Sequence, residues 1–208
     1  MTRLVLASSS PARLSLLKAA GIDPEVVVPT VDEQALTEQI KSADPSVATS
    51  HLVQYLANAK AESVVNDHRT HGALVLGGDS ALEFQGATLG KPYLPEVAIE
   101  RWKKLRGSYG VLHSGHCLID NRDPATPKTV SKTSSTKVFF ADVSDDEIAA
   151  YVATGEPLKV AGAFTIDGIG GAFIERIEGD AHTVVGLSLG VLRELTKELS
   201  VEYTSLWR

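Results

Sequence analysis

Residues 6–13 read L-A-S-S-S-P-A-R, and this stretch marks the passage from a strand to a helix. The apolar run over residues 3–7 predicts a short buried strand. Serine, here Ser10, is favoured at the N-cap, and proline, here Pro11, is favoured at the first helical position. The pattern therefore predicts a helix over residues 11–20, closed by Gly21 at its C-terminal end.

An arginine stands where this helix begins. Arg13 falls in the first turn, where the helix macrodipole is positive and a cation costs about 0.3–1 kcal/mol. A bound anion would reverse the sign of that effect, because backbone N–H groups, serine hydroxyls and a guanidinium group together suit a phosphate. A capped surface helix with a solvated arginine explains this stretch equally well, so the stretch alone leaves both interpretations open.

Strands and helices alternate along the rest of the chain. Strands are predicted at residues 25–28, 73–78, 111–119, 134–140 and 172–177, and helices at residues 45–66, 96–105, 144–155 and 187–199. A hairpin turn is predicted around Gln85 and Gly86, and G-I-G-G at residues 168–171 is interpreted as a flexible link. The alternation predicts an α/β fold with a central mixed sheet flanked by helices.

Length and composition narrow the class of protein. The 208 residues, 43% of them hydrophobic, suit one domain or two closely joined lobes. The net charge of −6 and the lack of a basic stripe argue against long nucleic acid as a partner. No apolar run reaches the length of a membrane span and the N-terminus lacks the order of a signal peptide, so we expect a cytoplasmic protein without membrane contact. The single cysteine, Cys117, excludes an internal disulfide, and its flanks H-C-L-I favour a buried structural thiol.

Acidic residues follow two of the predicted strands. Asp79 comes directly after an apolar strand that ends in G-G, where a carboxylate can face a crevice. Asp32 and Glu33 follow the strand at residues 25–28 and a proline. These positions suit Mg²⁺, which takes one or two protein carboxylates and shares the rest of its shell with water and phosphate. A turn aspartate and a solvated acidic loop are the plainer interpretations.

Two lysines are further cationic candidates. Lys60 is placed on the polar face of the helix at residues 45–66, and Lys91 lies in G-K-P at the base of the hairpin. Lysines that only aid solubility are the ordinary alternative. The sequence contains no G-x-x-x-x-G-K-[ST], which excludes a P-loop. The histidines of H-S-G-H at residues 113–116 alternate along a strand without metal-ligand support and are interpreted as structural.

Eight short motifs occur in a fixed order along the chain. They are L-A-S-S-S-P-A-R, V-D-E, L-A-N-A-K-A, G-G-D-S, L-G-K-P, Y-V-A-T-G-E-P-L, A-G-A-F-T-I-D-G-I-G-G and V-V-G-L-S-L. Together they resemble the Maf family of nucleoside triphosphate pyrophosphatases, from about residue 4 to about residue 195. The opening, G-x-D and G-K-P blocks are the most specific of the eight.

The resemblance implies a fold, an activity and a cofactor. The fold is a single α/β domain over residues 1–208, built of two lobes with a deep cleft and often seen as a homodimer. The activity is hydrolysis of a nucleoside triphosphate between its α and β phosphates, which releases a nucleoside monophosphate and pyrophosphate. The cofactor is a divalent cation, Mg²⁺ or Mn²⁺, and a house-cleaning role against noncanonical nucleotides goes with this activity.

The resemblance also implies roles for residues at the matching positions. Asp79 is the catalytic carboxylate that activates the attacking water, and Glu33 and Asp79 hold the metal. The residues implied for binding the phosphates are Ser8, Ser10, Arg13, Lys60 and Lys91.

Three positions concern the choice of base, and here they are Ala12, Ser80 and Asp167. The branch that resembles dTTP and UTP pyrophosphatases has arginine, threonine and glutamine there, and the branch that resembles 7-methyl-GTP pyrophosphatases has tryptophan, glutamine and glutamate. The chain fits neither set. An ionised Asp167 accepts hydrogen bonds and cannot donate them, which favours a base that presents donors, such as guanine. Gly110 and Val160 also depart from a histidine and a lysine common in the family.

We therefore expect a cytoplasmic nucleoside triphosphate pyrophosphatase. A nucleotide-binding regulator of cell division or septum formation, which uses the same pocket without turnover, is the alternative. Nucleotidyl transfer to a sugar phosphate is a third possibility. It is disfavoured because such enzymes normally begin with a glycine-rich loop, and L-A-S-S-S-P contains no glycine.

Overall fold

Seven strands form one sheet in the computed structural model, which describes residues 1–208. The strands are β1 (Arg3–Ala7), β2 (Glu25–Val26), β3 (Ala73–Phe84), β4 (Ala87–Leu89), β5 (Tyr109–Asn121), β6 (Lys128–Phe140) and β7 (Ile174–Glu178). Their order is β2-β1-β3-β5-β6-β7, with β4 paired to β3. β1 runs parallel to β2 and β3, whereas β4 is antiparallel to β3 and β7 is antiparallel to β6. The predicted mixed α/β sheet is confirmed.

Seven α-helices accompany the sheet. They are α1 (Pro11–Ala19), α2 (Glu33–Ala43), α3 (Thr49–Val64), α4 (Pro95–Leu105), α5 (Asp145–Ala153), α6 (Ala181–Val185) and α7 (Leu189–Glu198). Short 3-10 turns lie at His68–Thr70, Glu156–Lys159, Ala161–Ala163, Ile169–Phe173 and Tyr203–Leu206. None of the helices combines the length and the apolar composition that a bilayer-spanning helix needs.

The chain divides into two compact units, each with its own core. The first unit contains Met1–Asp79, Ser114–Ser134 and Gly186–Arg208, and the second contains Ser80–His113 and Ser135–Val185. In the first unit, leucines of β1 and β3 pack with α1 and α7, while the alternate residues of the same strands pack with small residues of α3. In the second unit, the fully buried Trp102 donates its indole N–H to the carbonyl oxygen of Ala163 at 2.7 Å.

Several local predictions are confirmed by backbone geometry. Ser10 caps α1, and Ser144 and Glu147 form the predicted capping box at the start of α5. Gln85 and Gly86 both have positive φ, 50° and 78°, as the turn between β3 and β4 requires. These features depend on a few adjacent residues, which is why the sequence reveals them.

Other local predictions are wrong in extent or kind. The strand predicted at residues 25–28 is limited to Glu25–Val26. Residues 168–171 lie largely in a 3-10 turn instead of forming a flexible link, because Glu156 accepts hydrogen bonds from two of their backbone N–H groups. The helix α2 was not expected, and it begins because the Asp32 carboxylate accepts from the N–H of Ala35 at 2.9 Å.

The placement of Lys60 on a polar helix face is also wrong. The residue is 5% exposed on α3, four positions after Leu56 and seven after Val53, which are both buried. That spacing puts all three on one helix face. A lysine is tolerated on that face because two carboxylates surround its ammonium group.

Cys117 lies in the core of the first unit and is fully buried. Burial, reinforced by the nearby Glu62 carboxylate, raises the pKa of its thiol to about 12. The thiolate form that reacts with electrophiles is therefore scarce at neutral pH, which agrees with a structural thiol.

Candidate active site

The start of α1 brings together the two serines and the arginine of the opening stretch. Ser10 caps the helix, and its hydroxyl oxygen accepts from the N–H of Arg13 at 3.4 Å. The hydroxyl oxygen of Ser8 accepts from the N–H of Ser10 at 3.1 Å and from Nη1 of Arg13 at 3.2 Å. The sequence-predicted groups therefore converge at one helix N-terminus, where the macrodipole favours an anion.

The Arg13 side chain is held inside the first unit. It is 7% exposed, and its Nε donates to the carbonyl oxygen of Gly186 at 2.7 Å. Burial lowers the pKa of the Arg13 guanidinium, and the charges of Asp79 and Glu33 oppose that shift. The group remains cationic at neutral pH, since arginine does not deprotonate in proteins. A buried permanent cation thus lies in the electrostatic field of the two candidate metal ligands.

Two glycines before Asp79 allow other parts of the unit to approach β3. A Cβ on Gly77 would lie 2.3 Å from the Ala57 carbonyl oxygen, so the bare backbone lets α3 contact the strand. A Cβ on Gly78 would lie 3.2 Å from Nε of Arg13, so the arginine passes directly over the next residue. Because Gly77 and Gly78 have no side chains, α3 and Arg13 lie close to the strand just before Asp79.

Lys60 joins the two candidate carboxylates. Its Nζ lies 2.7 Å from Oδ1 of Asp79 and 2.9 Å from Oε1 of Glu33. Asp79 and Lys60 are nearly buried, whereas the Glu33 side chain is 46% exposed. The Asp79–Lys60 contact is a charge-assisted hydrogen bond that offsets part of the cost of burying both groups. Removing the Lys60 charge takes this partner from the buried Asp79 carboxylate, whereas removing the Asp79 charge leaves Lys60 still paired with Glu33.

The structure places the remaining predicted residues as follows. Ala12 lies half-buried in the first turn of α1, within the first unit. Ser80, Lys91 and Asp167 belong to the second unit, where Lys91 and Asp167 are exposed. The segment before Lys91 contacts the segment that leads to Asp167, because the N–H of Gly162 donates to the carbonyl oxygen of Gly90 at 3.2 Å.

The sequence model of one protein family, described as Maf-like protein, matches residues 3–199. The chain belongs to the Maf-like family. The resemblance inferred from the eight ordered motifs is thereby confirmed. The family match extends into both compact units and includes every candidate site residue.

Two relatives with similar sequences carry the same functional name. A protein named nucleoside triphosphate pyrophosphatase from Leifsonia xyli is 53% identical over 99% of this chain and 96% of its own length. A protein of the same name from Salinispora tropica is 53% identical over 99% of this chain and 87% of its own length. A crystal structure titled as a dITP/XTP pyrophosphatase from Mycobacterium abscessus aligns over 96% of this chain and 94% of its own, with 15% identity and a TM-score of 0.41.

Glu156, in the Y-V-A-T-G-E-P-L motif of this Maf-like chain, has a role that sequence reasoning missed. Its carboxylate accepts hydrogen bonds from four donors that surround the loop carrying Asp167. The donors are the Tyr151 hydroxyl, the Thr165 hydroxyl at 2.5 Å, and the N–H groups of Ile169 and Gly170 at 2.9 and 3.0 Å. Burial raises the pKa of Glu156, but the four hydrogen bonds together outweigh it, so that the pKa lies below its ordinary value.

We expect the Glu156→Gln variant to be less stable at neutral pH by about 1–2 kcal/mol, because an amide NH₂ then faces donors. The folded-state pKa of Glu156 is lowered, so its stabilisation is present above the unfolded value of about 4.3 and is lost as the pH falls through the folded value. Urea unfolding from pH 7 to pH 3 measures this, and the difference between wild type and variant should shrink toward acid. Glu100→Gln, at an exposed surface pair, is the control and should change little. A difference that is independent of pH would contradict the assignment.

Proposed function

We propose that this Maf-like chain is a metal-dependent nucleoside triphosphate pyrophosphatase that hydrolyses the bond between the α and β phosphates. The observation that carries the proposal is the arrangement around Lys60, whose ammonium lies between the Asp79 and Glu33 carboxylates. Arg13, held at the helix N-terminus, lies in the field of both carboxylates. The name shared by relatives with 53% identity supports the same reaction.

Asp79 is the base in this proposal. A water molecule attacks the α phosphorus while the Asp79 carboxylate takes one of its protons. The new bond joins the water oxygen to the α phosphorus, and the bond to the oxygen bridging the α and β phosphates breaks. That bridging oxygen leaves with pyrophosphate, and the water oxygen stays in the nucleoside monophosphate.

Two serines and three cations are proposed to bind the phosphates. Ser8, Ser10 and Arg13 present hydroxyls and a guanidinium at the start of α1. An ammonium group has three donors, and the contacts of Lys60 with Asp79 and Glu33 leave one for a phosphate oxygen. Lys91, exposed in the second unit, is proposed as a further phosphate ligand.

Glu33 and Asp79 would hold the divalent cation, Mg²⁺ or Mn²⁺. The residues fit such an ion, because both carboxylates already converge on one positive centre, the Lys60 ammonium. The structure has no group of three or more His, Cys, Asp or Glu side chains that could hold a metal ion, so the proposed ion rests on these two carboxylates, with water and phosphate completing its shell. When bound, the ion supplies charge neutralisation on the phosphate oxygens.

Ala12, Ser80 and Asp167 are proposed to face the base. The Asp167 carboxylate stands exposed on a loop that Glu156 organises, and as an acceptor it suits a base with donor groups. A house-cleaning role against noncanonical nucleotides is the physiological part of the proposal. The homodimer implied by the family resemblance, and the cytoplasmic location expected from the lack of a long apolar run and of a signal-peptide pattern, stay predictions.

The identity and the isotope content of the products test the reaction. Purified protein with Mg²⁺ or Mn²⁺ is expected to release pyrophosphate, and no orthophosphate as first product, from at least one member of a panel of canonical and modified triphosphates. In water enriched in ¹⁸O, the label should enter the nucleoside monophosphate. Label in pyrophosphate would place the attack on the β phosphorus and overturn the mechanism. Tight triphosphate binding in calorimetry without turnover across the panel would favour the regulator instead.

A further inference from the structure

The orientation of Arg13 depends on a short turn far along the chain. Its Nε donates to the carbonyl oxygen of Gly186 at 2.7 Å, a contact between residues 173 positions apart. A guanidinium is planar, so fixing Nε also fixes the direction in which its two NH₂ groups point. The position of the Gly186 carbonyl therefore decides where the Arg13 NH₂ groups point.

Two local features fix the turn that leads from Gly186 into α7. Gly186 has φ of +116°, which side-chain-bearing residues rarely adopt. Leu187 is fully buried in the core of the first unit, and the Ser188 hydroxyl caps α7 by accepting from the N–H of Val191 at 3.1 Å. The turn is therefore anchored by its backbone conformation, by one apolar side chain and by a helix cap.

A third anchor is His116. Its Nε2 accepts from the backbone N–H of Ser188 at 2.8 Å, so in this neutral ring the hydrogen lies on Nδ1. Nδ1 then donates to the carbonyl oxygen of Lys132 on β6 at 3.1 Å. His116 is completely buried. Its backbone carbonyl oxygen accepts a hydrogen bond from the side-chain amide of Gln54 on α3 at 2.9 Å. His116 thus bridges β6 and the turn, two residues from the carbonyl that receives Arg13.

We propose that His116 is a positioning residue for Arg13, acting through the Ser188 N–H and the Gly186 carbonyl. The histidines of H-S-G-H were interpreted as structural, and burial alone agrees with that. The connection to Arg13 distinguishes His116 from a histidine that only fills space. Loss of the acceptor at Nε2 leaves the Ser188 N–H unsatisfied, so that the turn can shift. A guanidinium displaced by about 1 Å binds a phosphate in the wrong geometry, which can cost up to about 100-fold in rate.

The inference rests on the proposed function only where Arg13 is said to bind phosphate. Its structural half, that His116 sets the Arg13 contact with Gly186, stands independently of any activity. Two variants separate the acceptor from mere filling of space. His116→Phe keeps a ring and removes both nitrogens, whereas His116→Gln retains an oxygen that can reach the Ser188 N–H.

The first measurement is the exchange of the Arg13 Nε–H proton in ¹H–¹⁵N spectra, with the signal assigned by its loss in Arg13→Lys. We expect slow exchange with water in the wild type and in His116→Gln, and at least tenfold faster exchange in His116→Phe. Asn121→Leu is the matched control, because Asn121 is an equally buried polar residue on the same strand that donates to Val65 and Thr70. That variant should lose thermal stability without changing the exchange of Arg13.

The second measurement is a double-mutant cycle on kcat/KM for triphosphate hydrolysis. His116→Phe should lower kcat/KM by about 10- to 100-fold, His116→Gln should restore most of it, and His116→Phe should have little further effect in the Arg13→Lys background. Additive losses would make His116 a structural residue only and overturn the proposal.

If His116→Phe is insoluble, His116→Leu takes its place. Fast exchange of the Arg13 Nε–H in the wild type would overturn the proposal without any variant. An absence of hydrolysis in the wild type would count against the proposed function, while the exchange measurement would still decide the positioning.

Discussion

Replacing Asp79 with asparagine is expected to lower kcat for triphosphate hydrolysis by about 10²–10⁴-fold, the usual contribution of a general base. The amide keeps the shape of the side chain but cannot take a proton from water. The variant should stay folded, because Lys60 still contacts Glu33 at 2.9 Å. Steady-state rates of pyrophosphate release measure the effect, at saturating triphosphate and metal so that weaker metal binding by the amide does not enter kcat.

Asp120→Asn is a matched control for this experiment. Asp120 also lies on a strand, β5, and is ion-paired, with Nη2 of Arg122 at 2.7 Å. Asp120 is not a candidate site residue, so its replacement removes no proposed transition-state contact and should leave kcat within about twofold of the wild type. If Asp79→Asn and Asp120→Asn were equally active, Asp79 could not be the base.

The second large effect concerns stability, and we expect it from Gly77→Ala. The added Cβ would lie 2.3 Å from the carbonyl oxygen of Ala57 and 2.8 Å from the N–H nitrogen of Ala61. Both neighbours are backbone atoms of α3, so no flexible side chain can move aside. Overpacking of this kind costs about 3 kcal/mol. For a chain of this length that corresponds to a fall in Tm of about 6–12 °C, measurable by calorimetry.

Gly90→Ala provides the comparison for the Gly77 variant. A Cβ at Gly90 has no atom within 4 Å, and the residue does not have the positive φ that favours glycine. Its Tm should therefore change by less than about 2 °C. A Gly77→Ala protein as stable as Gly90→Ala would mean that α3 does not press on β3 as described.

The parts of the fold that could be predicted are those that neighbouring residues decide. The N-cap at Ser10, the capping box at Ser144 and the turn at Gln85 and Gly86 each depend on residue types within a few positions. The mixed sheet followed from the alternation of strand and helix patterns. α2 was missed because Asp32 and Glu33 were interpreted for their charge alone, although an aspartate before helix-forming residues is also a cap.

The members of the candidate site could be proposed from the sequence, whereas much of its geometry could not. Asp79, Glu33 and Lys60 could be named from motif order, but the burial of Lys60 could not, because a lysine is a poor core residue until its partners are known. The acceptors that orient Arg13 and the Asp167 loop lie elsewhere in the chain. No periodicity links Arg13 to Gly186, and Glu156 bonds to its loop through backbone N–H groups that carry no sequence signal.

The distance in sequence between Arg13 and Gly186 has a consequence during synthesis of the protein. The start of α1 leaves the ribosome before the carbonyl that receives its arginine, which follows 173 residues later, about 9–35 s at elongation rates of about 5–20 residues per second. A nascent chain or a product truncated before residue 186 carries Asp79, Lys60 and Glu33 without an oriented Arg13. Completion of the proposed phosphate site would thus depend on translation beyond residue 186, because a shorter chain lacks the carbonyl that orients Arg13.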